Sequence, residues 1–471
     1  MQENIILKSD SYKYSQWLQY PQNVTKMFSY FESRGGESGK YSPNYVQFFG
    51  LQYYLKKYLS IRVTEEMVLE AEAVITAHGL PFNKAGWMRV VTVHQGKLPL
   101  KIKAVAEGKV VTRRNVMMTI ESLDPELFWL VGWAETLLMK IWYPSTVATL
   151  GYYTKSIISS FMDKTADTND KVPFMLHDFG YRGVTSEEQA GIGGMAHLVN
   201  FMGTDTIASL VYARRYYGAN MPGFSIPASE HSTMTAWGKG SANERNAFIN
   251  MIDKFGNTSD IYACVSDSWD FYGAITTWIE LKDQVIAAGG QLVIRPDSGD
   301  ALTNVMYALR KLSAADAYGY TLNSKGYKVL NNVAIIQGDG VSVDLIYDIL
   351  SAMEAEKFSA QNIAFGMGGA LLQGNSESSI NRDTHKFAIK CSAIEIDGAT
   401  RLVFKDPITD RGKKSKKGYL DLKQIDGKYQ TIEYDHIPSD EELADSQLIT
   451  YFENGEVLVD FTFDQVRNNS L

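Results

Sequence analysis

Short apolar runs recur along the chain from residue 174 onward, and each run ends in a polar, glycine-rich or charged cluster. Successive clusters are spaced by roughly 25 to 40 residues, a distance that suits one strand and one helix of a (β/α) barrel. Helix-like segments such as NERNAFINMIDKF and TNVMYALRKLSAA lie between most of the runs. The pairs of run and cluster are FML-HDFGYRG, MAHLVNFM-GTDT, FSI-PASEHS, YACV-SDSWD, QLVI-RPDSGD, VAII-QGDG, NIAF-GMGG and KFAI-KCS.

This pattern predicts an α/β fold whose main part is an irregular (β/α) barrel over residues 151–392. In such barrels the chemistry collects at the carboxyl ends of the strands, where the polar clusters would lie. An open doubly wound sheet is the alternative, and it also places its ligands at the carboxyl ends of the strands.

The segments on either side of the barrel, residues 1–150 and 393–471, have a different pattern. TEEMVLEAEAVITAHG is typical of a helix capped by Thr64. LPLKIKAVAEGKVVTRRNVMMTIES alternates apolar and polar positions, as antiparallel strands do, and the C-terminal runs RLVFKD, YQTIEY and EVLVDFTF are similar. We predict that both segments together form a second, α+β domain with an antiparallel sheet.

Composition narrows the class of protein. The chain has 471 residues and a net charge of −8, which disfavours a nucleic-acid-binding scaffold. Its two cysteines, Cys264 and Cys391, lie far apart in apolar runs, which disfavours disulfides and zinc and suits a reducing compartment. The first residues show no secretory signal pattern, and the apolar stretch 127–143 carries charged residues, which indicates a buried helix rather than a membrane span. We expect a cytoplasmic protein.

The common nucleotide-binding and hydrolase motifs do not explain the chain. AGIGGMAHL contains a weak dinucleotide fingerprint, but the stretch before it is polar and helical, and the fingerprint requires a strand there. The sequence contains no P-loop, HExxH or GxSxG motif. The apolar run with two acids and Thr-Gly that marks the commonest phosphoribosyltransferase fold is also missing.

Two glycine-rich strand ends are candidates for phosphate binding. In GMGGA (366–370) the glycines allow backbone N–H groups to approach phosphate oxygens, although a tight turn explains the same residues equally well. QGDG (337–340) ends the preceding strand, and Arg382 and Lys390 follow downstream. Because phosphates need donors and cations together, these neighbours favour phosphate binding.

Several aspartates at strand ends could bind a sugar or a metal ion. Asp297 and Asp339 could hold ribose hydroxyls or hydrated Mg²⁺, since hard oxygen ligands suit that ion. Helix capping through an Asx-turn is the alternative for both, and Asp267 has the same ambiguity.

His231 follows a strand-like run and stands directly after Glu230. Imidazole can accept a phosphoryl group or transfer a proton near neutral pH, and a nearby carboxylate can orient it. A purely structural histidine is the alternative.

The motifs also occur together in a known order. The chain resembles the nicotinamide phosphoribosyltransferases of the type II phosphoribosyltransferase family nearly from end to end. This resemblance implies transfer of the phosphoribosyl group of phosphoribosyl pyrophosphate to nicotinamide, giving nicotinamide mononucleotide and pyrophosphate in NAD salvage. It also implies Mg²⁺, ATP as a co-substrate, and a homodimer with shared active sites. The motifs that carry the resemblance are DSYKYSQWLQYP, SYFESRG, LHDFGYRGVTSEEQAGIGGMAHLVNFMGTDT, IPASEHSTMTAWGK, VSDSWD, IRPDSG, IIQGDGV, IAFGMGG, KCS and VFKDP…KKSKKG.

For the pyridine base, the resemblance implies a ring held flat between Phe179 and Tyr12 of the partner subunit. Asp205 would accept a hydrogen bond from the carboxamide N–H₂, and Arg295 would donate one to the amide oxygen. An acid at this position suits a neutral amide and repels the carboxylate of nicotinate. Asp205 is therefore the reason to expect nicotinamide as the base.

For the sugar and phosphates, the resemblance implies binding by charged and backbone groups. Displacement at the anomeric carbon would pass through an oxocarbenium-like state, with Mg²⁺ stabilising the departing pyrophosphate. The ribose contacts would be Asp297, Gly338 and Asp339, and the phosphate contacts Arg182, Gly368, Gly369, Arg382 and Lys390, with Arg34 and Lys405 from the other subunit.

For His231, the resemblance implies phosphorylation by ATP, which improves substrate affinity and drives the reaction forward. Asp267 would hold the other ring nitrogen, and Glu230 would help to position the ring. Asp267 and Asp297 would lie near the metal ion and contact it through water.

The chain departs from the family pattern at a few positions. Ala263 and Ala388 stand where relatives commonly carry serine, so each loses one possible hydrogen bond, about 0.5–1.5 kcal/mol. The segment QGNSESSINRD is longer than its usual counterpart. Two other functions stay open: a nicotinate or quinolinate phosphoribosyltransferase, which Asp205 disfavours, and a catalytically silent nucleotide-binding protein, which the presence of His231 disfavours.

Overall fold

The computed structural model describes residues 3–35, 43–374, 379–409 and 414–470. The chain divides into two compact units. Unit 1 comprises residues 1–149, 215–219 and 380–471, and unit 2 comprises residues 150–214 and 220–379. The domain edges expected at 150 and 393 stay predictions. Residues 375–378 of QGNSESSINRD lie outside the described part of the chain.

The strands are numbered here in chain order. They are β1 (Val24–Ser33), β2 (Tyr45–Gln47), β3 (Leu100–Ala104), β4 (Val110–Thr112), β5 (Val116–Ser122), β6 (Leu176–Asp178), β7 (Gly203–Thr204), β8 (Ile261–Val265), β9 (Gln291–Arg295), β10 (Tyr320–Leu322), β11 (Lys328–Leu330), β12 (Val333–Gln337), β13 (Ile363–Met367), β14 (Phe387–Ile396), β15 (Ala399–Leu402), β16 (Tyr419–Ile425), β17 (Lys428–Tyr434), β18 (Ile449–Glu453) and β19 (Glu456–Val457).

The α-helices follow the same convention. They are α1 (Leu51–Tyr54), α2 (Glu65–Ala77), α3 (Lys84–Thr92), α4 (Leu130–Met139), α5 (Trp142–Thr165), α6 (Glu187–His197), α7 (Ile207–Tyr217), α8 (His231–Thr235), α9 (Ser241–Phe255), α10 (Phe271–Glu280), α11 (Lys282–Ala288), α12 (Ala301–Leu312), α13 (Val343–Ala355), α14 (Gly369–Leu372) and α15 (Phe463–Asn468). Shorter 3₁₀ segments occur at Ile5–Leu7, Ser11–Leu18, Pro125–Leu127, Val172–Phe174, Tyr181–Gly183 and Ala360–Asn362, and a π-helical turn at Leu55–Leu59.

Unit 1 is built on a seven-stranded antiparallel sheet in the order β15-β14-β1-β5-β3-β18-β19. The strand β3 buries every second residue, as its alternating sequence LKIKA predicts. The expectation that KFAI-KCS ends a barrel strand is wrong, because this segment forms β14 and pairs antiparallel with β1, for example Phe31 with Ile389. A short apolar run alone does not distinguish these two kinds of buried strand.

Unit 2 contains a parallel sheet of six strands in the order β7-β6-β13-β12-β9-β8. An irregular stretch, residues 224–228, bridges its two outer strands. Phe224 pairs with Gly203 of β7, and Ala228 pairs with Ala263 of β8. We call this stretch the closing segment, because it joins both edges and completes an irregular barrel. The predicted fold class, an α/β barrel with a second α+β part, is confirmed.

The inside of this barrel is apolar. Ala263, Val293 and Ile336 form a buried cluster, and Phe179 and Ile226 are among the half-buried side chains that pack against it. Branched and small residues at inward positions of parallel strands are typical of a filled barrel rather than a pore. Polar residues therefore collect at the ends of the strands. Among the described residues, none of the helices has the length and apolar character required to cross a membrane.

Candidate active site

A cavity of about 910 Å³ lies in unit 2 at the carboxyl ends of the parallel strands. Strands of a parallel sheet all present the same end at one edge, so residues that are distant in sequence meet there. Nine of the residues singled out from the sequence line this cavity: Phe179, Arg182, Asp205, Arg295, Asp297, Gly338, Asp339, Gly368 and Gly369. Tyr181, Gly183, Val184, Thr185, Ser186 and Glu187 complete the lining.

Phe179 follows β6 directly, and its backbone N–H donates to the carbonyl of Met367 at the end of β13 (2.9 Å). The ring packs against glycine backbone that has no side chain. A Cβ atom at Gly366 would be only 1.9 Å from Cε2 of Phe179, and one at Gly338 would be 3.4 Å from it. Glycine at position 366 is therefore required for the ring to occupy this place.

Asp205 lies one residue beyond β7 and is tied to the strand end beside it. Its backbone N–H donates to the carbonyl of Asp178 (3.0 Å), and its carboxylate Oδ1 accepts a hydrogen bond from Ser225 Oγ (2.7 Å). Ser225 belongs to the closing segment. Because only Oδ1 is engaged by this hydroxyl, Asp205 keeps acceptor capacity towards the cavity.

Arg295 is the last residue of β9 and lies near Asp297. The two side chains approach to 3.6 Å between Nε and Oδ1. The Nε–H group of Arg295 is buried and has no hydrogen-bond partner among the described residues. A buried donor without a partner is costly, so this group suits a ligand acceptor.

Asp178 is fully buried between Phe179 and the strand β7. Burial raises its pKa from 3.8 to about 6, the Gly180 N–H (2.7 Å from Oδ1) and the Thr206 hydroxyl oppose this change, and the charge of Asp205 adds to it. The side chain thus fixes the turn after Phe179, while the carbonyl of the same residue holds Asp205.

His231 is the first residue of α8 and interacts with two aspartates. Its Nε2 lies 2.9 Å from Oδ1 of Asp267, and its Nδ1 lies 3.8 Å from Oδ2 of Asp297. Since a carboxylate only accepts hydrogen bonds, Nε2 carries the hydrogen. The other oxygen of Asp267 accepts from the Asp297 N–H (3.0 Å) and from Ser298 Oγ (2.5 Å). The orientation of Asp267 is therefore determined on both sides.

Glu230 precedes His231 and serves the start of the helix. It forms a capping box with Thr233, and its carboxylate accepts a hydrogen bond from the Ser232 hydroxyl. The partners that the structure gives to this carboxylate belong to α8, and the imidazole is not among them.

Asp267 and Asp297 both lie beside His231, and Asp339 is near enough to Asp297 to affect its charge. Burial raises the pKa of Asp297, and the charges of Asp267 and Asp339 add to this effect, whereas Arg295 and His231 oppose it. Crowded negative charge of this kind is stabilised by a bound cation. Among the described residues, no group of three or more His, Cys, Asp or Glu side chains could hold a metal ion directly.

The glycine pairs contribute backbone rather than side chains. A Cβ at Gly369 would have open space around it, so a ligand can approach this backbone. Asp339 keeps its loop in place through its carbonyl, which accepts from Gln337 Nε2 (2.9 Å). Arg182 lies in the 3₁₀ turn Tyr181–Gly183, which packs beside Gly369.

The other residues named from the sequence lie in unit 1. Tyr12 is 55% exposed, with Lys13 Nζ 5.3 Å from its ring centre. Lys390 is half-buried on β14, and burial lowers its pKa. The charge of Glu135 opposes this change, whereas the cations Arg34, Lys405 and Lys13 add to it. The guanidinium of Arg34 contacts Glu32 (Nε to Oε1, 3.2 Å), and its buried Nη2 has no hydrogen-bond partner within the part of the chain that the structure describes. Unit 1 therefore carries several cations near Lys390, with Glu135 and Glu32 paired to two of them.

Arg382 is also in unit 1 and is exposed. Its Nη2 pairs with Oδ1 of Asp383 at 2.9 Å, with more than half of each side chain in solvent. Such a surface pair is weak, so Arg382 can exchange its partner at little cost.

Sequence reasoning missed three residues that shape the site. Ser225 holds Asp205, Ser298 holds Asp267, and Gly366 makes room for Phe179. Ser298 and Gly366 lie inside clusters that the apolar pattern had marked as strand ends, and Ser225 lies in the run just before such a cluster. Their roles depend on contacts between different strands, which a linear pattern does not contain.

Comparison with known proteins agrees with this architecture. The family model described as the nicotinate phosphoribosyltransferase (NAPRTase) family matches residues 174–456, and the model described as the N-terminal domain of nicotinamide phosphoribosyltransferase matches residues 4–102. A protein named nicotinamide phosphoribosyltransferase from Xanthomonas campestris pv. campestris (strain 8004) is 47% identical over 470 residues, covering 99% of this chain and 97% of that protein. One of the same name from Acinetobacter baylyi (strain ATCC 33305 / BD413 / ADP1) is 30% identical, covering 97% and 95%.

Two solved structures share the fold. Nicotinate-nucleotide pyrophosphorylase from Pyrococcus furiosus superposes with a TM-score of 0.61 at 14% identity, covering 100% of this chain and 95% of that one. Human nicotinic acid phosphoribosyltransferase gives a TM-score of 0.58 at 14% identity, covering 98% and 92%. At this identity the likeness concerns the fold alone. The resemblance drawn from the motifs is confirmed by the family models and the sequence relatives, and the chain belongs to the nicotinate phosphoribosyltransferase (NAPRTase) family as an enzyme that transfers phosphoribosyl groups.

Proposed function

We propose that this enzyme transfers the phosphoribosyl group of phosphoribosyl pyrophosphate to nicotinamide, releasing pyrophosphate and forming nicotinamide mononucleotide for NAD salvage. The observation that carries the proposal is the acid at position 205. It lines the same cavity as the ring of Phe179 and the guanidinium of Arg295. The names of the two sequence relatives support the same base.

The choice of base follows from hydrogen-bond chemistry. A carboxamide offers two N–H donors and one oxygen acceptor, whereas a carboxylate offers acceptors only. Asp205 accepts and Arg295 donates, which complements the amide at both of its ends. A carboxylate placed at Asp205 would meet a like charge, so nicotinate is disfavoured. Phe179 supplies one apolar face for the flat ring, and the partner subunit's Tyr12 would supply the other.

The sugar and its phosphates would occupy the rest of the cavity. Asp297 and Asp339 would accept from the ribose hydroxyls, and Gly338 would allow the sugar to approach the backbone. Gly368 and Gly369 would offer N–H groups to phosphate oxygens, with Arg182 beside them. Because the leaving pyrophosphate is highly charged, cations from a second subunit would complete the site, which is why we propose a homodimer. These are Arg34 and Lys405, and Arg382 and Lys390 would also contact the phosphates.

The residues present fit a hydrated Mg²⁺ ion. Asp297 lies among like charges that a cation would relieve, whereas both oxygens of Asp267 already accept hydrogen bonds. Asp297 would therefore be the closer of the two acids to the ion, through water, with Asp267 in support. When bound, the ion would stabilise the negative charge that develops on the departing pyrophosphate.

The chain itself does little covalent work in the transfer. Its residues hold the base nitrogen in line with the anomeric carbon, and they exclude water from an oxocarbenium-like state. Positioning of this kind accounts for about 7–11 kcal/mol of barrier lowering in well-oriented reactions. Carboxylates near the ribose stabilise the developing positive charge.

We further propose that ATP phosphorylates His231. The hydrogen bond from Nε2 to Asp267 leaves the lone pair on Nδ1, so Nδ1 would attack the γ-phosphorus as ADP leaves. Later hydrolysis of the phosphohistidine would return the imidazole and release phosphate. The carboxylate of Asp267 would stabilise the ring while it carries positive charge. Glu230 would act indirectly, by fixing the start of α8.

A mass-spectrometric assay tests these proposals. The enzyme is supplied with phosphoribosyl pyrophosphate and Mg²⁺, with either nicotinamide or nicotinate, and with or without ATP. We expect product from nicotinamide and a faster reaction when ATP is present. Product from nicotinate alone would identify a nicotinate enzyme, and no product from either base would favour a silent nucleotide-binding protein.

Two variants separate the parts of the mechanism. Asp205→Asn should narrow the preference for nicotinamide over nicotinate, because the repelling charge is removed while the size is kept. His231→Ala should abolish the gain from ATP and leave a slow basal reaction. If ATP still accelerates His231→Ala, the phosphohistidine proposal is wrong while the transferase proposal stands.

A further inference from the structure

A chain of hydrogen bonds leads from the His231–Asp267 pair to a buried residue outside the cavity lining. Asn304 lies on α12 and is 7% exposed. Its Nδ2 donates to the carbonyl of Ser298 (2.8 Å), and its Oδ1 accepts from the hydroxyl of Tyr272 (3.2 Å). The amide is thus engaged at both ends, which fixes which atom is nitrogen and which is oxygen.

The turn that Asn304 holds is the one that orients Asp267. Residues 297 and 298 provide both hydrogen bonds to Oδ2 of Asp267, one from the backbone N–H of Asp297 and one from the hydroxyl of Ser298. Downstream, Asp300 caps α12 by accepting from the Thr303 N–H (2.8 Å). The cap fixes where the helix begins, but it makes no contact with the carbonyl of Ser298. Asn304 makes that contact.

We propose that Asn304 is a positioning residue that holds the Asp297–Ser298 turn so that Asp267 presents Oδ1 to Nε2 of His231. Without the Asn304 amide, the Ser298 carbonyl would lose its side-chain donor and the turn could rotate. Asp267 would then lose the fixed orientation that selects the tautomer of His231. The role of this orientation in catalysis rests on the proposed phosphorylation of His231. The orientation of the ring and its tautomer are independent of that proposal.

Variants can separate positioning from simple filling of space. Asn304→Leu keeps nearly the same shape and removes both hydrogen bonds. Tyr272→Phe removes only the hydroxyl at the far end of the chain. Tyr307→Phe is the matched control, because the ring of Tyr307 packs edge-on against that of Tyr272 (4.5 Å between centres) and belongs to the same helix as Asn304. Thermal melting verifies that each variant is folded.

The first measurement reports the tautomer of His231 and needs no ATP. The full-length enzyme is labelled with ¹⁵N-histidine, and the His231 signals among the seven histidines are assigned with His231→Ala. We expect wild type and Tyr307→Phe to show the Nε2–H tautomer. Asn304→Leu should show a mixture of tautomers, and Tyr272→Phe a smaller change in the same direction. A pure Nε2–H tautomer in a folded Asn304→Leu variant would overturn the proposal.

The second measurement uses ATP labelled at the γ-phosphate and follows phosphorylation of His231. Asn304→Leu should slow the initial labelling about fivefold or more, which corresponds to about 1 kcal/mol. Ser298→Ala should have an effect of similar size, and the double variant should be scarcely slower than either single variant. Independent, multiplying effects would mean that Asn304 does not act through Ser298, which overturns the proposal. If wild type is not labelled at all, the phosphohistidine proposal fails, and the tautomer measurement alone decides the role of Asn304.

Discussion

Asp178 in unit 2 and Glu107 in unit 1 are both fully buried acids, yet they serve different regions in different ways. Asp178 lies at the carboxyl edge of the barrel, next to Phe179 and Asp205, which both line the cavity. Glu107 lies in unit 1, where Oε1 accepts from the Gln52 N–H (2.9 Å) and its backbone contacts the Tyr451 hydroxyl (2.9 Å) and Asn469 Nδ2 (2.9 Å). It joins three segments of chain that are distant in sequence.

The comparison teaches that burial and a raised pKa do not by themselves mark a functional acid. Burial raises the pKa of Glu107 from 4.5 to about 7, against the hydrogen bonds from Gln52 and Tyr217. That change is as large as the one at Asp178. What distinguishes Asp178 is its two neighbours, Phe179 and Asp205, because both line a cavity that can hold a ligand. Site assignment therefore depends on what a buried acid holds in place.

The largest expected effect concerns stability at Glu107. Between about pH 4.5 and 7 the unfolded chain has lost this proton while the folded chain keeps it, so stability falls as pH rises through this range and is level above it. The loss amounts to about 3 kcal/mol. Glu107→Gln should abolish this part of the pH dependence and leave the KM for the base within about twofold. Denaturant unfolding from pH 4.5 to 8 measures the slope, and an unchanged slope contradicts the assignment.

Asp178 should show the same effect in a lower range of pH. Its proton is kept by the folded chain between about pH 4 and 6, with a stability loss of slightly under 3 kcal/mol as pH rises. Asp178→Asn should remove this slope, and unlike Glu107→Gln it should also weaken binding of the base, because the turn after Phe179 depends on it. Paired unfolding and KM measurements on both variants test the contrast. Equal KM values would remove the distinction between the two acids.

Gly366→Ala should damage the cavity without a change of charge. Its new Cβ would overlap Cε2 of Phe179, so the ring must leave its place. Loss of one stacking face costs about 2 kcal/mol, or about 30-fold in affinity for the base. Gly132→Ala is the control in unit 1, where the added methyl meets only the end of the Gln16 side chain. Titration of the base by calorimetry compares the two, and a Gly366→Ala variant with wild-type affinity would exclude Phe179 as the stacking ring.

The smallest expected effect is at Ser225. Ser225→Ala removes the hydroxyl from Oδ1 of Asp205, one exposed hydrogen bond to a charged group. We expect base affinity to change by about 1 kcal/mol, roughly fivefold, with no change in melting temperature. Comparison with Ser298→Ala is informative, because that variant should alter the ATP effect instead. A change in melting temperature at Ser225→Ala would point to a structural role.

Much of the barrel was predictable from the sequence, because most of its strands are apolar runs that end at a polar cluster. QLVI-RPDSGD contains the strand β9, the turn that holds Asp267, and the acid that caps α12. KFAI-KCS follows the same rule but belongs to the antiparallel sheet, since a local pattern does not specify a strand's partner. FSI-PASEHS was expected to contain a regular strand, whereas residues 224–228 make isolated bridges instead of a ladder.

The roles of Asn304 and Gly366 were beyond sequence reasoning for a related reason. Each acts on a residue brought to it by folding, Ser298 by the turn before α12 and Phe179 by the pairing of β13 with β6. A pattern along the chain reports which residues are buried, but not which buried residues touch. The candidate residues at the strand ends could be named from sequence, whereas the supports behind them could not.

The closing segment and the first turn of α8 belong to one uninterrupted stretch of chain. Ser225, which touches Asp205, is only six positions before His231. A movement of this stretch would therefore act both on Asp205, which lines the cavity, and on His231. The rate of amide hydrogen exchange at residues 224–228 would report such a movement.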